Sequence, residues 1–231
     1  MRALEIVFRI LWSVALGGLI YGSTIWLLRV ELSGDIERME PGKAWLLGGL
    51  AWINAVVILV IGGMDGRLPE ENRLVILGVQ EILCSLLAGG LLAAACMDAV
   101  HSYVYNYVWW WCLPWAGILG LTAGGGFHGI VAVLVFVMLQ QLLFSRMYGK
   151  ADCHAFSVCA LAECGNAVGM VGFLLQMFLS VVLLTIVQLF RGNVTPRGRL
   201  REPQPFIPYI ITAFFSVTFL ESVFRTTYIY A

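Results

Sequence analysis

Charged residues are scarce in this chain. Fourteen Lys and Arg and fourteen Asp and Glu make up 12% of its 231 residues, and their charges cancel. A soluble domain has roughly 25% charged residues. The shortage of charge, together with a hydrophobic content of 60%, excludes an ordinary soluble protein and indicates an integral membrane protein. A net charge of zero also gives no reason to expect a nucleic-acid partner.

Cysteine and histidine do not occur in metal-binding patterns. None of the six cysteines belongs to a CxxC pair, and most of them lie within apolar runs. This spacing excludes a zinc ribbon and a secreted disulfide framework. His101 and His128 show no ligand spacing with cysteines or carboxylates. The sequence therefore predicts no metal site.

Long apolar runs predict an all-α, polytopic membrane helix bundle with about seven membrane helices. We place the whole of residues 1–231 in a single integral membrane domain, with an extra N-terminal helix and outer loop over 1–44 and a core over 45–231. The segment 98–126 is rich in Tyr and Trp, which collect at membrane interfaces, so we expect it to lie there without crossing. The runs cover about 8–29, 45–64, 73–97, 127–147, 152–163, 167–190 and 206–225.

Four aspartates occur in the chain, and two of them stand at unusual places. Asp65 and Asp152 each lie where an apolar run meets a short basic turn, and Lys and Arg near helix ends favour the cytoplasmic side. Asp35 and Asp98 are expected to be solvated groups on the outer side.

Two carboxyl groups brought close together share one proton, because both cannot ionise easily. Asp65 and Asp152 could then hold a water, with one as general base and the other as general acid. This chemistry requires neither a metal nor a cofactor. The alternative for either residue alone is that it caps a helix.

Three segments resemble the type IV prepilin peptidases, which are membrane GxGD aspartyl proteases. "YGKADCH" is similar to their G-x-G-D-x-K motif, with Gly149, Ala151 and Asp152 at its first three defined positions. "GMDGRLPEENRLVI" resembles the loop of their first aspartate, here Asp65 followed by Arg67. "EPQPFIPYIITAFF" is similar to the P-F-x-P-F-L segment that opens their last helix.

The resemblance implies an endopeptidase that removes the short basic leader of type IV prepilins or pseudopilins. Such an enzyme is a multi-pass protein of the bacterial or archaeal cytoplasmic membrane, and its site faces the cytoplasm. Its partners are the prepilin substrate and the lipid bilayer. The catalytic pair implied here is Asp65 and Asp152, and the residues that bind substrate or support the site are Arg67, Gly149, Lys150 and His154.

Departures from the family pattern leave other functions open. Ala151 and His154 stand where the family has Gly and Lys, and no cysteine-rich methyltransferase domain is present, so a peptidase-only form is expected. A catalytically inactive relative that serves as a membrane scaffold is one alternative. A small-solute transporter is another, with Glu81 as a proton relay or bonded within the bundle. A protease of the presenilin kind is the third.

Overall fold

All regular secondary structure in the described residues is helical, as the sequence predicts. The structure is a computed structural model that describes residues 2–31, 71–122, 127–146, 149–163, 169–192 and 204–230. Within these ranges a 3-10 turn, Phe144–Arg146, follows the fourth of the α-helices. The α-helices are α1 (Arg2–Glu31), α2 (Glu71–His101), α3 (Asn106–Thr122), α4 (Phe127–Leu142), α5 (Lys150–Glu163), α6 (Gly169–Phe190) and α7 (Ile207–Tyr230).

Three helices in the described residues are long and apolar enough to cross a membrane. The spans are Ile10–Arg29, Gly78–His101 and Val171–Phe190, and shorter apolar stretches occupy Val131–Leu142 and Ile207–Thr218. A span of 20 residues is roughly 30 Å long, which matches the hydrocarbon core of a bilayer. The membrane class is therefore supported, while the number of about seven membrane helices stays a prediction.

The chain divides into two compact units. The first comprises Met1–Ala93 and Phe219–Ala231, and the second comprises Ala94–Thr218. The prediction of a single domain, with its division at residue 45, stays a prediction.

In the first unit, α1 and α2 approach closely at Gly89. The Thr24 hydroxyl lies 3.1 Å from the Gly89 carbonyl oxygen and 2.7 Å from that of Ile20. A Cβ atom at residue 89 would overlap the Ser23 hydroxyl and lie 2.9 Å from the Ile20 carbonyl oxygen. Membrane helices pack closely through such small residues, because an apolar environment supplies little hydrophobic drive for association.

The Glu81 side chain is hydrogen-bonded within the first unit. The sequence leaves open whether this residue is bonded in this way or serves as a proton relay. Its carboxylate accepts a hydrogen bond from the indole N–H of Trp12. Such a bond stabilises a carboxyl group at membrane depth, where an unbonded one would be costly.

We expect Gly89→Ala to lower the free energy of unfolding by about 1–3 kcal/mol, the usual cost of overpacking a tight contact. The added methyl meets backbone of α1, which cannot rotate away. Reversible denaturation of the purified protein in mixed micelles measures this change. Gly78→Ala in the same helix is the matched control, since a Cβ atom there has no neighbour within 4 Å. Equal effects of the two substitutions would contradict the close approach at Gly89.

In the second unit, α5 is the central helix. It packs most extensively against α3, then against α4 and α6. Eight of its fourteen residues are buried, and they lie around the whole helix. A helix that is buried on all sides needs side chains small enough for several neighbours to approach. Ala155, Cys159 and Ala160 meet this need and are each at most 1% exposed.

The Tyr/Trp-rich segment forms α3 over most of its length. Val108, Cys112 and Ala116 follow one another at four-residue intervals and are fully buried. This stripe is typical of a helix packed against a neighbour. Helix α3 therefore packs within the second unit along this stripe, and the predicted position of the segment at the membrane interface stays a prediction.

Four phenylalanines from different parts of the second unit form one cluster. The ring of Phe173 lies 4.6 Å from that of Phe136 and 6.2 Å from that of Phe156. Phe206 extends the cluster, 5.9 Å from Phe156. Such edge-to-face pairs are each worth about 0.5–1.5 kcal/mol beyond their buried area. The cluster joins α4, α5 and α6 to the start of α7.

The predicted boundaries in the last third of the chain are close to those observed. The short run predicted at 152–163 and the longer run at 167–190 correspond to α5 and α6. The P-F-x-P segment was expected to open the last helix, and α7 begins there, at Ile207. Pro208 is tolerated because the first N–H groups of a helix have no partner within it.

Candidate active site

Asp152 lies in the first turn of α5 and is bonded to the residue that caps this helix. Gly149 is the cap, since its carbonyl oxygen accepts the first helical bond, from the Cys153 N–H at 3.1 Å. The Asp152 carboxylate in turn accepts the N–H of Gly149 at 3.1 Å. This is the return bond of a capping box. The capping alternative for Asp152 is therefore realised in the structure.

The glycine at position 149 leaves room for that carboxylate. A Cβ atom there would lie 3.2 Å from the Oδ2 atom of Asp152, closer than an ordinary van der Waals contact. Any side chain at position 149 would thus press on the Asp152 carboxylate. This contact gives a physical reason for the Gly that the sequence places three residues before the aspartate.

Asp98 lies in the last turn of α2 and is buried, with 7% of its surface exposed. Its Oδ2 atom accepts the backbone N–H of Ile207 at 3.0 Å, and the Phe206 N–H is a second donor to the carboxylate. Phe206 and Ile207 begin α7, so the carboxylate takes up N–H groups that have no partner within the helix. The prediction that Asp98 is a solvated surface group is wrong, because these donors compensate its burial.

Asp98 and Asp152 interact electrostatically. Burial raises the pKa of Asp152 to about 6, and the neighbouring negative charge of Asp98 adds to this rise. The bond from the Gly149 N–H acts in the opposite direction. A carboxyl group with this pKa still carries a proton in about half of the molecules at pH 6, where an ordinary aspartate is almost fully ionised.

The phenylalanine cluster explains why the two acids meet. Phe156 lies one turn after Asp152 in α5, and Phe206 directly precedes Ile207, the donor to Asp98. The contact between these two rings holds the start of α7 against α5. Since Asp98 is bonded to the start of α7, the same contact brings it toward Asp152.

His154 and Lys150 flank Asp152 in α5 but have different surroundings. His154 is two residues further on, about 200° around the helix, and its ring contacts Trp109 and Gln141. The structure thus gives it contacts other than the carboxylate pair. Lys150 is exposed at the first position of the helix, where it lowers the pKa of His154, although burial of the ring contributes more to that shift.

The other predicted site residues, Asp65 and Arg67, lie outside the described residues. Pairing of Asp65 with Asp152 stays a prediction. The partner that sequence reasoning missed is Asp98. It is one of only four aspartates and ends a long apolar run, "LLAAACMD", which is the kind of position that could have identified it.

No family model, curated protein or solved structure matches this chain.

We expect Asp98→Asn to lower the pKa of Asp152 from about 6 toward the ordinary value of 3.8, because the substitution removes a like charge. Protein labelled with [4-¹³C]aspartate gives four carboxyl signals, and their titration between pH 3 and pH 9 measures the shift. The signal that is lost in Asp152→Asn assigns the group.

Asp65→Asn is the control for this titration. It tests the pairing of Asp65 with Asp152 that the sequence predicts. A pKa that falls in Asp65→Asn but not in Asp98→Asn would show that Asp65 is the neighbour of Asp152.

Proposed function

We propose that this chain is a membrane aspartyl endopeptidase in which Asp98 and Asp152 share one proton and activate a water. The observation that carries the proposal is the interaction of the half-buried Asp152 with the buried Asp98, with the pKa of Asp152 raised to about 6. Pairs of titratable groups with perturbed pKa values are typical of catalytic sites.

The proposed reaction uses one ionised and one protonated carboxyl group. The ionised group takes a proton from the water as its oxygen attacks the carbonyl carbon of the peptide. The protonated group gives its proton to the carbonyl oxygen, which produces a neutral tetrahedral intermediate. The carboxyl group that took the proton from the water then gives it to the amide nitrogen, and the C–N bond breaks. A hydroxyl group of the intermediate returns its proton to the other carboxylate, which restores one ionised and one protonated group.

Hydrogen bonds from two helix starts support this chemistry by fixing the orientation of both acids. The Oδ2 atom of Asp98 is held by the Ile207 N–H, and the Oδ2 atom of Asp152 by the Gly149 N–H. Backbone donors of this kind favour a carboxylate. They allow one of the two acids to stay ionised while burial and mutual repulsion keep a proton on the other.

The substrate that we propose is a type IV prepilin or pseudopilin, cleaved after its short basic leader. This part of the proposal rests on the resemblance of the segments around Asp152 and Pro205 to the prepilin peptidases. The apolar helix that follows the leader in such substrates would lie in the bilayer beside the enzyme. If the turn before Asp152 is cytoplasmic, as the basic residues Arg146 and Lys150 favour, Asp98 faces the cytoplasm as well.

A membrane scaffold without catalytic activity is the second candidate function. The observation in its favour is that each carboxylate also satisfies N–H groups at the start of a helix. Under this alternative both acids stabilise the second unit and react with nothing.

Cleavage of a prepilin in liposomes distinguishes the two candidates. We expect the wild type to cut, and Asp98→Asn and Asp152→Asn each to lower kcat/KM by about 10²-fold or more, as for loss of a general acid or base. Asn keeps the size of the side chain and an oxygen that accepts the backbone N–H. Gly149→Ala should give a smaller loss, because it displaces the Asp152 carboxylate without removing it.

Asp35→Asn, in the predicted acidic outer loop, is the matched control and should cut like the wild type. Thermal unfolding of each variant separates lost chemistry from lost structure. Cleavage that survives Asp98→Asn but not Asp65→Asn would restore the pair predicted from sequence. The scaffold would be favoured if the wild type does not cleave the prepilin, all variants stay stably folded, and a partner complex still assembles.

A further inference from the structure

The side of α6 that is buried in the second unit is polar, although the helix is long and apolar enough to cross a membrane. Gln176, Ser180 and Gln188 are each fully buried, and they lie within about 120° of one another around the helix. The exposed side of the same helix carries apolar residues such as Leu174 and Phe178. A buried amide is costly unless the protein supplies hydrogen-bond partners. The partners of the two glutamines therefore indicate what this side of α6 does.

Both glutamines bond to the start of α7. The Nε2 atom of Gln176 lies 3.5 Å from the carbonyl oxygen of Ile210, and the same side chain is hydrogen-bonded to Cys159 of α5. The Nε2 atom of Gln188 lies 3.3 Å from the Oε1 atom of Gln204. Gln204 precedes the first residue of α7, and Ile210 ends its first turn. The two amides thus hold this segment from both ends.

The first turn of α7 depends on another helix for its cap. Phe206 is the cap residue, since its carbonyl oxygen accepts the Ile210 N–H at 3.2 Å, but phenylalanine has no side-chain oxygen that could accept the free N–H groups. Asp98 supplies the missing acceptor from α2 and takes the N–H groups of Phe206 and Ile207. The direction of the Asp98 carboxylate therefore depends on where the start of α7 is held.

We propose that Gln176 and Gln188 are positioning residues for the acid pair. By fixing the start of α7 against α6, they fix the N–H groups that orient the Asp98 carboxylate, and hence its distance from Asp152. The glutamines act through the backbone of α7. The catalytic consequence rests on the proposed peptidase function, whereas the positioning itself can be measured without a substrate.

Directional bonds suit this role better than apolar packing does. The phenylalanine cluster brings the start of α7 toward α5, but edge-to-face rings tolerate separations of about 4.5–7 Å. Hydrogen bonds between membrane helices add little to stability on average. A buried polar side chain can nevertheless specify the register of neighbouring helices, at some cost in stability. The two amides thus narrow the position of α7 along α6.

Gln140 in α4 provides a matched comparison within the same unit. It is fully buried, like Gln176 and Gln188. In the part of the chain that the structure describes, neither the oxygen nor the nitrogen of its amide has a hydrogen-bond partner. Replacing Gln140 therefore removes a buried amide without removing a described bond to α7.

Substitution of each glutamine by methionine, which is unbranched and has no amide, tests the proposal. In protein labelled with [4-¹³C]aspartate and reconstituted in liposomes, we expect Gln176→Met and Gln188→Met to weaken the ¹³C–¹³C cross-peak between Asp98 and Asp152. The two variants should also move the pKa of Asp152 from about 6 toward 3.8, because the like charge of Asp98 moves away. Gln140→Met should change neither quantity. Circular dichroism shows that the variants are folded.

Cleavage of a prepilin by the same proteins separates the positioning from the peptidase function. If the wild type cuts, Gln176→Met and Gln188→Met should lower kcat/KM by about 10-fold, since misplacement of reacting groups is costly. A cross-peak that weakens in these two variants alone supports the positioning, even if the wild type cuts no prepilin. A cross-peak and an Asp152 pKa that neither variant changes, or that Gln140→Met changes equally, would overturn the positioning, even if the wild type cuts.

Discussion

The second unit depends on two carboxyl groups, the buried Asp98 and the half-buried Asp152, that are each bonded to the start of a helix. Removing a carboxylate from water is costly unless hydrogen bonds replace its hydration. Helix starts supply such bonds, because their first N–H groups have no partner within the helix. Asp98 joins the end of α2 to the start of α7, and Asp152 closes the start of α5 on Gly149. The positions of three helices are thus tied to two acids.

The same arrangement creates an electrostatic conflict. Each carboxylate is favoured by its backbone donors, but burial and the charge of Asp98 oppose ionisation of Asp152. The proposed sharing of one proton would relieve this conflict. A structure whose packing forces two acids together, and whose bonds keep one of them ionised, holds an acid and a base ready side by side. This is the physical basis for the proposed peptidase chemistry.

Much of the fold could be predicted from sequence, because it depends on local pattern. The apolar runs predict an all-α fold. The interruption of the apolar pattern after Glu163 predicts that α5 and α6 are separate helices. The glycine at 149 and the acid at 152 are neighbours in the chain, so their relationship was visible as a motif. Their contact in the structure, with a Cβ position 3.2 Å from a carboxylate oxygen, gives that motif a steric reason.

The partner of Asp152 could not be found in the same way, because it depends on contacts between distant segments. Asp98 comes close only because Phe156 meets Phe206 across 50 residues of chain. The aromatic residues of the segment 98–126 predict a position on the membrane surface, whereas in the second unit those of α3 belong to a packed helix. Asp65 lies outside the described residues, so its place relative to the pair is open to experiment.

The most direct measurement is the proximity of the carboxyl carbons in the membrane. Protein labelled with [4-¹³C]aspartate and reconstituted in liposomes has four labelled carbons, and solid-state NMR with ¹³C–¹³C dipolar recoupling detects those that are close. We predict a cross-peak between Asp98 and Asp152, which disappears in Asp98→Asn and in Asp152→Asn and persists in Asp65→Asn. A cross-peak that Asp65→Asn abolishes and Asp98→Asn does not, or no cross-peak to Asp152 at all, would contradict the pairing of Asp98 with Asp152.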